Sequence, residues 1–131
     1  MSVMSSRYKI MVIDDEFDIL QIIRRYLEKW GFSVITFSNP LLALQQFKDN
    51  PNAYSVVLVD IRMPELSGVA LAAMMHKVKP DVKLIIMTAF EIFADDLKFS
   101  LPLIKSNNIL RKPFKLVEIC TAVKKQLQIT H

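Results

Sequence analysis

The sequence is short of several residue types, and each shortage excludes a class of protein. Among 131 residues there is one cysteine, Cys120, so no disulfide can form within the chain, as is usual in a reducing compartment. Cys120 falls on an apolar helical line, which favours a buried core cysteine over a thiol nucleophile. Two glycines, six prolines and no low-complexity tract, with a hydrophobic fraction of 52%, argue against a disordered chain.

Long apolar runs and blocks of charge are also missing. The longest apolar stretches, such as 56–59 and 84–87, fall far short of the roughly 18 residues that a membrane-spanning helix needs. Residues 1–9 lack the apolar core of a signal peptide, so we expect a soluble cytoplasmic protein without membrane insertion. The 17 lysines and arginines give a formal net charge of +4 but are scattered, so direct binding to nucleic acid is not expected.

What the chain does contain is a regular alternation of strand-like and helix-like segments. Its length suits a single domain over 1–131, with a core of about 7–128. Apolar, β-prone segments predict five strands, at 8–13, 32–37, 54–59, 82–87 and 109–111. Helical spacing predicts helices between them, near 20–30, from Pro40 with Asn39 as its cap, from Ser67 or Gly68, and over about 115–128. This order predicts an α/β fold, a doubly wound five-stranded parallel sheet with helices on both faces.

The predicted fourth helix is the irregular one. Phe93, Leu97 and Leu101 are four residues apart, which is helical spacing, but Pro102 removes a backbone donor and crowds the preceding turn. We therefore expect this helix to be shortened or broken near 99–102.

Polar residues stand where the predicted strands end. They are Asp14, Asp15 and Glu16 after the first strand, Asp60 after the third, Thr88 after the fourth and Lys112 after the fifth. In a parallel sheet these ends share one edge, the edge at which open α/β folds bind their ligands. The sequence therefore predicts a polar cleft there.

The chemistry of that cleft follows from its charges. Aspartates clustered at about 5 Å repel by roughly 3 kcal/mol per pair at an effective dielectric of 20. Lys112 and a divalent cation can balance them, and oxygen-only ligands favour Mg²⁺ over zinc, whose usual His and Cys ligands are lacking here. A carboxylate beside Mg²⁺ and a lysine can attack a phosphoryl group, which makes Asp60 a candidate nucleophile, with the Thr88 hydroxyl as a hydrogen-bond partner. Alternatively, the acidic residues and Thr88 only cap helices and form turns.

Four motifs occur in an order and spacing that identify a family. They are VIDDE at 12–16, DIRMPELSG at 60–68, MTA at 87–89 and RKPF at 111–114. Together they resemble the receiver domain of two-component response regulators, of the chemotaxis-regulator type, from about residue 7 to residue 128. The resemblance implies a flavodoxin-like (βα)5 fold with strand order 2-1-3-4-5.

The resemblance also implies roles for single residues. Asp60 would be the phosphoacceptor, receiving a phosphoryl group from a histidine kinase or phosphotransfer protein. Asp15 and Asp60 would bind Mg²⁺ directly, Asp14 mainly through water, and Arg62 through its backbone carbonyl. Thr88 would be the switch hydroxyl that moves toward the phosphoryl group, and Lys112 would pair with that group. The Lys112–Pro113 bond matches one that is usually cis in the family.

Some positions depart from the family pattern. Ile109 stands three residues before Lys112, where the family commonly has Tyr or Phe, and KSNN at 105–108 replaces a usual Gly-Ala stretch. With Pro102, these departures fall on the family's common partner surface. Arg62 and Phe90 lie two residues beyond Asp60 and Thr88, where bulk could slow loss of the phosphoryl group.

The sequence is compatible with three functions. The resemblance implies a phosphorylation switch with self-phosphotransfer and slow autodephosphorylation, which is not an enzyme with a substrate of its own. A pseudo-receiver would bind partners without phosphorylation. An aspartate-nucleophile phosphatase would usually carry a second acid two residues after the nucleophile, where this chain has Arg62. No effector domain is expected in this chain, so output would pass to a downstream protein target or to a linked domain outside it.

Overall fold

The computed structural model describes residues 8–63, 65–88 and 109–129 of the chain. They form the strands β1 (Lys9–Ile13), β2 (Ser33–Phe37), β3 (Val56–Asp60), β4 (Leu84–Thr88) and β5 (Ile109–Arg111). The α-helices are α1 (Phe17–Lys29), α2 (Pro40–Asp49), α3 (Gly68–Val78) and α4 (Leu116–Leu127), and a 3-10 turn spans Pro51–Ala53.

The five strands form one parallel sheet in the order β2-β1-β3-β4-β5. This confirms the predicted α/β fold and its strand order. Four of the strands begin one or two residues later than predicted, and two end one residue later. Asp60 and Thr88 are therefore the last residues of β3 and β4, paired within the sheet, and do not follow the strands as predicted.

Helices cover both faces of the sheet because its strands are apolar on both sides. One core layer lies under α1 and α4, built from alternate strand residues such as Val12 and Leu58. The other lies under α2 and α3, built from their neighbours such as Ile13 and Val59. Strands buried on both faces are typical of parallel sheets. Cys120 is buried in the α1–α4 layer, as predicted for a core cysteine, and burial raises the pKa of its thiol.

The helix ends follow from local chemistry that the sequence displays. The Asn39 side chain accepts a hydrogen bond from the Leu41 backbone N–H at 2.8 Å and so caps α2, with Pro40 at its first position. After α1, Gly31 has φ 93°, and the N–H groups of Gly31 and Phe32 bond back to the carbonyls of Glu28 and Leu27. This is a Schellman ending, for which the left-handed conformation favours glycine.

Several expectations concern residues outside the described ranges. They are the shortened or broken helix with Pro102, the effect of Phe90, the KSNN segment at 105–108, and Pro64 in the DIRMPELSG motif.

The predicted helix over about 115–128 corresponds to α4. Within the described ranges, no helix is both long enough and apolar enough to span a lipid bilayer.

Gly68 fixes the loop that leaves β3. Its backbone N–H donates to the Ile61 carbonyl at 2.8 Å, which closes the loop onto its own beginning. A Cβ at this position would lie 2.7 Å from the Cα of Ile61 and closer still to the carbonyl oxygen of Asp60. Both neighbours are backbone atoms, so only glycine permits this approach.

We predict that Gly68→Ala lowers the free energy of unfolding by about 1–3 kcal/mol, because the loop or the start of α3 must shift to accept the methyl group. Urea denaturation measures the change. In the same helix, Ala70→Gly loses about 0.5–1 kcal/mol through helix propensity alone. Alanine is the better helix former, so a Gly68→Ala variant more stable than the native chain by about 0.5–1 kcal/mol would show that the close approach costs nothing.

Candidate functional site

The predicted polar residues lie together at the carboxyl edge of the sheet. Asp14 follows β1, Asp60 ends β3 and Thr88 ends β4, on strands that are direct neighbours in that order. Lys112 follows β5, and its backbone N–H donates to the Thr88 carbonyl at 2.6 Å. Asp15 stands beside Asp14 at the open side of the edge. The sheet thus brings into one cleft residues that are as many as 98 positions apart.

Burial distinguishes these residues from the rest of the polar surface. Asp14 is 0% exposed, Thr88 is 0% exposed and Asp60 is 4% exposed, and these three are the buried polar residues of the described ranges. Asp15 is exposed. Buried carboxylates are costly without partners, so the cleft must supply compensating charge or hydrogen bonds.

Lys112 supplies that charge. Its Nζ lies 2.8 Å from Oδ2 of Asp14, 3.6 Å from Oε1 of Glu16 and 3.8 Å from Oδ1 of Asp60. Burial lowers the pKa of Lys112, but the hydrogen bond to Asp14 and the three carboxylate charges outweigh burial and raise it. Lys112 therefore stays an ammonium ion, and one positive charge is shared by several negative ones.

The ionised form of Asp60 is only weakly stabilised, because Lys112 lies closer to Asp14 than to Asp60. Burial, together with repulsion from Asp14, raises its pKa from the ordinary 3.8 to about 6. The attraction of Lys112 and a hydrogen bond from the Arg62 backbone N–H oppose that rise without cancelling it. Asp60 is thus ionised at neutral pH, and the positive charge around it compensates its negative charge only in part.

A divalent cation fits this shortage of positive charge. Asp14, Asp15 and Asp60 can each offer a carboxylate oxygen, and the three oxygens lie within 4.8 Å of one another. All the donors are oxygens, the ligands that Mg²⁺ prefers. Beside them lies an open pocket of about 380 Å³, lined by Asp15, Ile61, Arg62, Met63 and Ser67, with room for water and an incoming group.

Two features of the site were not assigned a role from the sequence. Glu16 approaches Lys112, and its own backbone N–H donates to Oδ1 of Asp14 at 2.9 Å, so the start of α1 holds the Asp14 carboxylate in place. Gly68 closes the loop behind Asp60. The run of three acids at 14–16 was a signal for Glu16, and the motif DIRMPELSG, which ends at Gly68, was a signal for the loop after Asp60.

Two features of the segment at 109–113, next to the site, bear on the family pattern. The Lys112–Pro113 bond is cis, as predicted. Ile109 at the start of β5 is half-buried and packs against the core layer under α2 and α3. An aliphatic side chain thus occupies the position where the family commonly carries an aromatic ring.

The chain is similar to known proteins over most of its length. Residues 10–124 match the family model described as the response regulator receiver domain. The response regulator receiver protein CpdR of Brucella abortus is 30% identical over 119 residues, which cover 91% of this chain and 96% of CpdR. Some relatives are longer: the chain spans 48% of a CpxR homolog from Haemophilus influenzae and 27% of ZraR from Escherichia coli, both named transcriptional regulatory proteins.

Solved structures show the same similarity. A response regulator receiver domain protein from Clostridium thermocellum superposes with a TM-score of 0.81 at 32% identity, covering 92% of this chain and 94% of that one. The response regulator TrrA from Thermotoga maritima, solved in complex with Mg²⁺ and BeF, gives a TM-score of 0.77 at 31% identity and covers 91% of this chain and 98% of that one.

Replacing Lys112 should expose the cost of the buried carboxylates. We predict that Lys112→Met lowers the free energy of unfolding by about 2–3 kcal/mol at pH 7.5, because Asp14 would lose its ion-pair partner. Lys112 is 13% exposed, which keeps this value below that of a fully buried pair. Urea denaturation in EDTA measures it, with Lys83→Met as the exposed-lysine control. If the double variant Asp14→Asn/Lys112→Met loses as much as the two single changes added together, the two residues are not coupled.

Asp60 should make stability depend on pH. Its pKa is raised in the folded chain to about 6, so the folded state loses stability as pH rises from about 4 to about 6 and bears the full cost above that range, up to about 3 kcal/mol. Asp60→Asn removes the ionisation. In EDTA the variant should therefore be more stable than the native chain at pH 7.5, with an advantage that shrinks toward pH 4.

Urea denaturation across this pH range gives the comparison. Asp81→Asn, which alters an exposed aspartate in the same way, is the matched control. An Asp60→Asn advantage that grows toward low pH would contradict the raised pKa.

Proposed function

This chain belongs to the response regulator receiver domain family, and we propose that it is a phosphorylation switch in which Asp60 accepts a phosphoryl group from a histidine kinase or phosphotransfer protein. The observation that carries the proposal is the position of Asp60. It is a nearly buried, charge-deficient carboxylate at a strand end, with Lys112 at 3.8 Å and two further aspartates beside it.

The ionised Asp60 is the nucleophile. One of its carboxylate oxygens attacks the phosphorus of the donor, an O–P bond forms, and the N–P bond of a donor phosphohistidine breaks. The imidazole nitrogen keeps the electron pair of that bond and later takes a proton. Since the pKa of Asp60 is about 6, most chains carry the nucleophilic form at neutral pH.

The acidic cluster is the proposed Mg²⁺ site. Asp15 and Asp60 would bind the ion directly, Asp14 mainly through water, and Arg62 through its backbone carbonyl. Bound Mg²⁺ supplies positive charge that neutralises the phosphoryl oxygens as they approach the carboxylates. TrrA, of similar fold, was solved with Mg²⁺ and BeF, which supports a site of this kind here.

Lys112 and Thr88 would respond to the phosphoryl group. The ammonium of Lys112 lies within reach of Asp60, so it can turn from Asp14 toward a phosphoryl oxygen. The Thr88 hydroxyl, at the end of β4, would hydrogen-bond the same group. The Thr88 carbonyl holds the Lys112 backbone, so a displacement of one residue would be transmitted to the other.

The output is proposed to be a change in partner binding without substrate turnover. Each chain would take up one phosphoryl group and lose it slowly, so the chemistry is stoichiometric. Because Ile109 has no ring to reorient, the signal would leave through displacement of β4 and β5. The recipient would be a protein partner or a linked output domain.

Incubation with Mg²⁺ and acetyl phosphate tests the proposal, with intact-mass spectrometry as the measurement. We expect a gain of one phosphoryl group per chain that EDTA abolishes and that Asp60→Asn prevents. The matched control Asp81→Asn, an exposed aspartate before β4, should be phosphorylated like the native chain.

Two other results would point to other functions. No mass gain from acetyl phosphate or from a phosphorylated histidine donor would favour a pseudo-receiver. Phosphate release continuing over many turnovers per chain would favour a phosphatase.

A further inference from the structure

Glu16 occupies a helix-capping position but does not cap the helix. It is the residue before α1, with an extended backbone at φ −89° and ψ 106°, and its side chain makes no capping hydrogen bond. Short side chains such as serine and aspartate are the usual caps at this position. The longer side chain of Glu16 instead approaches Lys112, with its Oε1 3.6 Å from the lysine Nζ. The contact with Lys112 thus takes the place of a cap.

The backbone of Glu16 is held independently of its side chain. Its N–H donates to Oδ1 of Asp14 at 2.9 Å, and its carbonyl accepts from the Leu20 N–H at 3.2 Å. The side chain is 62% exposed and takes no part in these bonds. A change of the side chain can therefore remove the contact with Lys112 while the start of α1 keeps its backbone bonds.

Glu16 attracts Lys112 on a different side of the cleft from the acidic cluster. The carboxylate oxygens that can hold a cation belong to Asp14, Asp15 and Asp60. Glu16 and Lys112 line a second cavity of about 400 Å³, which shares none of its lining residues with the pocket beside the cluster. An ammonium group drawn toward Glu16 is therefore drawn away from the place where Mg²⁺ and a phosphoryl group would bind.

We propose that Glu16 is a positioning residue that restrains Lys112 and so weakens its pairing with a phosphoryl group on Asp60. This role rests on the proposed function. To pair with a phosphoryl oxygen, the ammonium of Lys112 has to leave Glu16 as well as Asp14. The attraction of Glu16 is lost at that point, so it lowers the affinity for the phosphoryl group by the same amount.

Glu16 acts on the cation in the opposite direction. Its carboxylate adds negative charge near the acidic cluster, and negative charge favours binding of a divalent cation. Neutralising Glu16 should therefore weaken Mg²⁺ binding and strengthen phosphoryl binding. A side chain that only stabilised the start of α1 would weaken both when it was changed. Opposite signs for the two ligands thus distinguish a positioning role from a structural one.

Isothermal titration calorimetry of the full chain tests this role, with Mg²⁺ alone and then with beryllium fluoride at saturating Mg²⁺. Beryllium fluoride is an anion that binds a carboxylate oxygen in the place of a phosphoryl group. We expect Glu16→Gln to bind beryllium fluoride about two- to fivefold more tightly than the native chain, and Mg²⁺ about two- to fivefold more weakly, as for an exposed ion pair.

Glu16→Asp separates the contact from the charge. Aspartate keeps the negative charge, but it is one methylene shorter and suited to capping α1, so it should lose the contact with Lys112. We expect this variant to bind beryllium fluoride more tightly than the native chain and to bind Mg²⁺ with nearly native affinity. Native-like binding of beryllium fluoride by Glu16→Asp would contradict a role through contact.

Asp18→Asn is the matched control. It removes a negative charge from the first turn of the same helix, where Asp18 is exposed, and should change each affinity by less than about twofold. Native-like or weaker beryllium fluoride binding by Glu16→Gln would overturn the role of Glu16 and leave the proposed function standing. A native chain that bound no beryllium fluoride and took no phosphoryl group from acetyl phosphate would overturn both.

Discussion

The structure depends on the burial of two carboxylates, Asp14 and Asp60, beside a single ammonium group. The ammonium of Lys112 bonds Asp14 closely and reaches Asp60 only at 3.8 Å, which leaves Asp60 with a raised pKa. Replacing buried charged groups of this kind with apolar residues is often neutral or stabilising. The proposed function accounts for this cost, because a bound cation would neutralise the negative charge and Asp60 would carry the phosphoryl group.

The parallel sheet makes this arrangement possible. Because β1, β3, β4 and β5 all run the same way, their carboxyl ends deliver acids, a hydroxyl and a lysine to one edge without any long loop having to place them. Backbone hydrogen bonds then tie the pieces together, from the Lys112 N–H to the Thr88 carbonyl and from the Gly68 N–H to the Ile61 carbonyl. The helices on either face exclude water from the strands, and so give the charges at the edge their strength.

The same sheet has two edges of different character. At β5 the strand is short and carries Arg111, whereas at β2 it is uncharged and merges into the exposed leucines of α2. The polar cleft at the carboxyl ends of the strands does not require this difference.

Local chemistry in the sequence determined much of this protein: the alternation of strands and helices, the Asn39 cap, the Gly31 ending, and the acids, threonine and lysine at the strand ends. These are short-range patterns, set by backbone geometry and hydrophobic periodicity. Tertiary structure alone decided which charges share Lys112, that Glu16 joins them, that Asp60 and Thr88 lie within their strands, and that Gly68 must touch the backbone of β3. Those facts depend on which residues and backbone atoms come together in three dimensions, and that is decided only once the sheet has formed.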